Sequence, residues 1–191
     1  MRPDWAVYGP AGAALAVGVF GIGLEAYWEQ FDGLKERLEG YQQSVEEWIG
    51  QWATVVSPGL VDTAQKAYAA GERFAEERVD LIFCHAATYA TSSQVLPAVR
   101  EAGVPVVVLN LQPTSSLDYE NTDTGEWLAN CAACCVPEIA GACTRAGIPY
   151  EVPAAEAREV VAHDAGRLVR DGGAGRRVLG DVLDGFAQAV V

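Results

Sequence analysis

Apolar residues recur in steps of four and three at Leu34, Leu38, Tyr41, Val45, Trp48 and Trp52, while Glu36, Glu39, Gln42, Gln43, Glu46 and Glu47 fill the positions between them. That spacing predicts an amphipathic helix beginning near Asp32, with its acid and amide side chains on the wet side. Upstream, residues 14–20 form a short continuous apolar run, as a buried strand does. Downstream, residues 53–56 read as a second strand closed by Ser57-Pro58-Gly59, and a helix follows to Glu77. Asp62 is placed to cap that helix, with Gln65 three residues on as in a capping box. Its buried stripe is expected at Ala67, Tyr68, Gly71, Phe74 and Ala75. Residues 79–83 and 104–109 are the third and fourth strands. Between them Ser92 or Ser93 caps a helix to Ala102, and Gly103 ends it. Pro137 suits the first turn of a helix running to Ala146, where its missing N–H is no loss, and Gly147 stops it. Residues 148–152 are a fifth strand and residues 156–170 a last helix.

Strands alternating with helices, and strands apolar throughout, imply a parallel sheet covered on both faces. Right-handed crossovers leave few topologies for such a chain. The expected fold class is therefore α/β, a three-layer open parallel sheet of flavodoxin-like or Rossmann-like type. Residues 1–13, with Pro3, Gly9, Pro10 and Gly12, read as a leader, 14–170 as the domain, and 171–191 as a Gly-rich linker and tail.

Composition narrows the partners. Half of the residues are hydrophobic and 20% are charged, enough to bury a full core. A formal net charge of −13 repels nucleic-acid phosphates and anionic lipid, so neither nucleic acid nor a membrane is an expected partner. The apolar run at 11–24 falls short of the about 20 residues that a membrane span needs. Its flanks, with Arg2 the one nearby cation and glycines at 18, 21 and 23, are also wrong for a signal peptide. Five cysteines, four of them between Cys131 and Cys143, make no ladder of spaced pairs, and a reducing cytoplasm is the simpler setting. Cys131-Ala-Ala-Cys134-Cys135 invites a metal or redox reading. Structural zinc takes four ligands, however, and His85 and His163 are the only imidazoles. Core packing on or beside the Pro137 helix is the expectation.

In an open parallel sheet, ligands bind beyond the carboxyl ends of the strands. Three loops leave those ends. The first carries Glu25, Tyr27 and Trp28, the second His85, Thr88, Tyr89 and Ser92, and the third Asn110 and Gln112. Hydroxyls, amides, one imidazole and aromatic faces suit a neutral polyol, held by many uncharged hydrogen bonds and by stacking. Taken singly, each residue has a plainer explanation: Ser92 or Ser93 as a helix cap, His85 as the partner of a nearby carbonyl. The Gly18, Gly21, Gly23 cluster lacks the order of a nucleotide fingerprint and no Lys follows it, so a tight turn accounts for it better.

Several segments carry a family likeness: FGIGLEAYWEQFDGLKERLEGY, GLVDT, VDLIFCHAATYATSSQVLP, VPVVVLNLQP, TGEWLANC and VPEIAGACTRAGI. From about Leu15 to Arg170 the chain resembles the N-terminal domain of the L-fucose/L-arabinose isomerase family, in its less-studied branch. The resemblance implies a substrate-side module of an aldose–ketose isomerase in carbohydrate metabolism, with a small-molecule sugar as ligand. Family members resembling this are longer, three-domain enzymes that depend on Mn²⁺, and their metal-binding Glu, Glu and His lie in later domains. No catalytic residue, metal ligand or cofactor is thus expected within this chain, which looks truncated relative to the family. A homo-oligomer, or further C-terminal domains, would complete the site. Glu126 and Glu138 lie in the right stretch for metal-assisted chemistry, yet no Glu-plus-His constellation surrounds them. Two departures stand out. Residues 118–125 form a shorter loop than the family's, and after Gly172 only Arg177-Val-Leu-Gly180 keeps traces of the expected continuation. A stand-alone polyol-binding module and a degenerate remnant are the alternatives.

Overall fold

The computed structural model describes residues 15–51, 53–111, 113–114 and 117–152. The expected leader, the helix at 156–170 and the tail lie outside these residues, as do Trp52 and Gln112. Five strands, β1 (Ala16–Ile22), β2 (Thr54–Val61), β3 (Leu81–His85), β4 (Val106–Leu109) and β5 (Tyr150–Glu151), form one sheet in the order β2-β1-β3-β4-β5. Every neighbouring pair is parallel. That is the flavodoxin-like order, whose topological switch point falls between β1 and β3.

The period-two alternation of the strands separates two cores. Val17, Val19, Leu81, Phe83, Val107 and Leu109 cluster with Val45 and Ile49 of α1 (Leu34–Ile49). Phe20, Ile82, Cys84, Val106 and Val108 cluster instead with three other helices: α2 (Ala64–Glu76), α3 (Leu96–Arg100) and a helix at Val136–Ala146. Their contributions include Ala70, Phe74, Val99 and Ile139. Helices thus cover both faces of a three-layer α/β domain. Among the described residues, no helix is long and apolar enough to cross a membrane.

The structure corrects several local expectations. Strand β2 does not stop at Val56 but continues through Ser57-Pro58-Gly59 to Val61. Gly18 pairs with Val56 and Phe20 with Gly59, so two residues of β2 oppose the single Val19. This bulge lies on an edge strand, where a proline takes nothing from the ladder. Asp62 is not the cap of α2. Thr63 is, its hydroxyl accepting from the Lys66 amide at 3.2 Å. Tyr68 and Ala75 are exposed, and Ala70 takes their place in the buried stripe. Neither Ser92 nor Ser93 caps α3, which is short and starts at Leu96 with Pro97 in its first turn. A short helix α4 (Thr124–Leu128) was not expected; Asp123 caps it by accepting from the Glu126 amide at 2.8 Å. The Pro137 helix, α5 (Val136–Ala146), ends as expected at Gly147, whose φ is 69°.

Helix α2 approaches α3 at Gly71, where an added Cβ would lie 2.4 Å from the Pro97 carbonyl oxygen. Backbone gives way less readily than a side-chain tip. Gly71→Ala gains the about 1 kcal/mol of helix propensity that glycine forgoes, yet overpacking of this kind costs about 1–3 kcal/mol. The expected net result is a destabilisation of about 1 kcal/mol, read as a lower urea midpoint with an unchanged m-value.

Candidate functional site

The carboxyl edge of the sheet is closed over by a third apolar cluster. Leu34, Leu38, Leu60, Ala87, Leu128, Ala129 and Cys131 are buried there, with Tyr27, Trp28, Phe31 and Tyr41 packed around them. The β1–α1 loop supplies the aromatic part. Its 3₁₀ turn at Glu25–Tyr27 brings the Tyr27 ring edge-on to Trp28 and Phe31, at centroid distances of 6.4 and 6.1 Å. Glycine explains how these rings fit: a Cβ on Gly23 would stand 3.0 Å from the Trp28 indole. A Cβ on Gly21 would stand 2.6 Å from Gln42 Oε1. Two glycines of the supposed nucleotide cluster therefore make room for side chains of this chain.

Several candidate residues are engaged in holding that edge together. Trp28 Nε1 donates to Asp62 Oδ2 at 3.0 Å, and Lys66 Nζ lies 2.7 Å from Asp62 Oδ1. Burial pushes the Asp62 carboxyl up, but hydrogen bonds from Lys66 and Trp28 outweigh it and leave the group below its ordinary value. His85 ends β3 rather than following it and is buried, with Nδ1 3.0 Å from Gln42 Oε1. Gln42 Nε2 in turn donates to Glu46 Oε1 at 2.8 Å, which orients the amide so that His85 is the donor at Nδ1. Desolvation lowers the His85 pKa to about 4, so the ring is neutral at physiological pH. Thr88, fully buried, donates to the Leu128 carbonyl at 2.7 Å and anchors the segment that carries α4. The Ser92 amide donates to Glu138 Oε1 at 2.8 Å.

What remains open to solvent is a smaller set. Glu25 and Tyr89 are exposed, and Tyr27 and Asn110 are half-buried. Burial raises the Tyr27 phenol pKa, with smaller contributions from Cys131, Tyr89 and Cys135. Thus Tyr27 and Tyr89 stand on the loops that leave β1 and β3, on either side of the switch point, whereas Trp28, His85 and Thr88 turn to internal partners.

Sequence reasoning missed a polar chain beside this edge. Arg37 on α1 grips Glu126 through both terminal nitrogens, Nη2 to Oε1 at 3.0 Å. That contact holds the Glu126 carboxyl below its usual range. Asn130 Nδ2 donates to the same Oε1 at 3.0 Å and accepts at Oδ1 from Thr114 Oγ1 at 2.8 Å. Loop 110–114 is thereby tied through α4 to α1. A hollow of about 450 Å³ lies next to the Arg37–Glu126 pair, lined by the 30–34 loop, Asp123 and Gly125. A larger cleft of about 740 Å³ runs along the β2 edge between α1 and α2, lined by Glu39, Gln42, Glu46, Lys66 and Arg73 among others. None of the described strand-end candidates lines either cavity.

Among the described residues, no group of three His, Cys, Asp or Glu side chains is arranged to bind a metal. Glu126 is committed to Arg37 and Asn130, Glu138 to the Ser92 amide, and His85 to Gln42. Of the cysteines, Cys84, Cys131, Cys135 and Cys143 are buried among core residues as expected, but Cys134 is exposed. No family model matches the chain, and no curated protein matches it in sequence.

Proposed function

We propose that this domain binds a neutral sugar or polyol at the carboxyl edge of its sheet, as the substrate-side module of a cytoplasmic aldose–ketose isomerase. The metal and catalytic groups would come from further domains or from a second copy in an oligomer. One observation carries the reading: Tyr27 and Tyr89 stand on the loops that leave β1 and β3 at the switch point, and the strand-end loops contain no Lys or Arg between residues 23 and 33, 86 and 95, or 110 and 123. Aromatic faces with uncharged hydrogen-bonding groups select a polyol, and the net charge of −13 works against a phosphorylated sugar. The resemblance of segments such as VPVVVLNLQP to the L-fucose/L-arabinose isomerase family supplies the reaction class, with Mn²⁺ as the ion of the complete enzyme.

Calorimetric titration with L-fucose, L-arabinose and a sugar phosphate tests the reading. Weak saturable binding of a neutral sugar is expected, with the phosphate weaker still. Tyr89→Ala should reduce the affinity about three- to tenfold, the worth of an aromatic contact of roughly 0.5–1.5 kcal/mol. Tighter binding of the phosphate, or an unchanged affinity in Tyr89→Ala, would count against it.

A further inference from the structure

Three thiols share one turn at the carboxyl edge, and the sugar-binding reading uses none of them. Cys131 precedes a 3₁₀ helix at Ala132–Cys135, and the Cys134 amide donates to the Cys131 carbonyl at 3.0 Å. Such a turn holds its first and fourth Cα atoms within about 7 Å, and 3₁₀ geometry eclipses side chains three residues apart. A disulfide asks for a Cα separation of about 4.4–6.8 Å. The Cys131 and Cys134 side chains are thus within bonding reach by rotation about their own χ angles. Cys134 and Cys135 are not, because adjacent Cα atoms stand only about 3.8 Å apart.

Exposure assigns the roles. Cys134 is open to solvent, Cys131 is 5% exposed, and Cys135 is fully buried. Cys135 Sγ points inward and donates to the Ala132 carbonyl at 3.2 Å. Cys131 Sγ donates to the Leu128 carbonyl at 3.5 Å, an acceptor it shares with Thr88, and also interacts with the Tyr89 backbone and the Thr88 side chain.

We propose that Cys131 and Cys134 form a reversible dithiol–disulfide pair, oxidised by a low-molecular-weight disulfide of the glutathione class. The Cys134 thiolate attacks one sulfur of that disulfide, whose S–S bond breaks, and the departing thiolate takes up a proton. Cys131 then gives its proton to water and attacks Cys134 Sγ, expelling the second small thiol. The chain gives up two electrons and two protons, and the oxidant gains both. Burial raises the Cys131 pKa, with Cys134 adding to the rise, so the second step quickens as pH rises and more Cys131 ionises. The site stands whether or not the edge binds a sugar.

Incubation of the whole chain with glutathione disulfide, acid quenching, alkylation and peptide mass mapping provides the test. Wild type and Cys135→Ser should each lose two hydrogens, with the bond mapped to Cys131 and Cys134 and reversed by dithiothreitol. Cys131→Ser should stop at a glutathione adduct on Cys134, and Cys134→Ser should stay unmodified at this turn. A wild type that stops at the adduct, joins either residue to a different cysteine, or does not react would overturn the proposal.

Discussion

Replacing Phe74 by Ala is expected to lower the unfolding free energy by about 3–5 kcal/mol, the range for truncating a buried aromatic. The ring is fully buried and faces Phe20 at a centroid distance of 6.0 Å. It rests against β1 at Gly18, where an added Cβ would stand 2.9 Å from its edge. Glycine and ring are therefore a matched pair, and the match has its own signature. Gly18→Ala alone should destabilise by overpacking. In the Phe74→Ala background the same methyl should instead refill part of the cavity and recover stability. Denaturant unfolding of both single variants and the double variant would show coupling well outside the about 0.5 kcal/mol expected of independent sites. Simple additivity would mean that the ring does not lie on Gly18.

Acid should destabilise the fold through His85 by about 3 kcal/mol, at about 1.4 kcal/mol for each unit by which the pKa is displaced. In the folded chain the ring stays neutral down to about pH 4, because burial lowers its pKa from 6.5. The unfolded chain accepts that proton near pH 6.5. Stability is therefore lost as pH falls from about 6.5 to about 4, and below that the two states bind the proton alike. Carboxylates with lowered pKa values, Asp62 among them, lose their own contribution at still lower pH. His85→Asn isolates the histidine, since an amide nitrogen can replace Nδ1 as donor to Gln42 Oε1. The difference in stability between wild type and variant should change by about 3 kcal/mol across this window. A constant difference between pH 7 and pH 4 would show that His85 titrates freely.

The layers of this fold were legible because periodicity reports burial directly. The continuous apolar runs became β1, β3 and β4, and Gly147 closed α5 through a positive φ of 69°, whereas α3 ended at Arg100, short of the Ala102 and Gly103 expected to finish it. What escaped depended on contacts between distant segments. Gln42, read as a wet-side residue, is buried, and its side-chain carbonyl accepts from His85, 43 positions away. Its spacing from Leu38 and Val45 already put it on the apolar arc of α1, a signal that its polarity obscured. Pro58 read as a strand stop because nothing local reveals that β2 is an edge with a bulge. The candidate site was legible as an edge but not as a constellation. Residue type alone does not tell that Thr88 and Trp28 turn inward to Leu128 and Asp62 while Tyr27 and Tyr89 stay available.

We propose the carboxyl edge at the β1–β3 switch point as the place where a neutral polyol binds. Amide chemical-shift mapping during titration with L-fucose and L-arabinose tests it most directly. Saturable shifts are expected at residues 23–28, 85–91 and 110–114, with a sugar phosphate producing smaller ones. Shifts gathered instead along the β2 cleft, at Gln43, Gly59, Lys66 and Arg73, would contradict it.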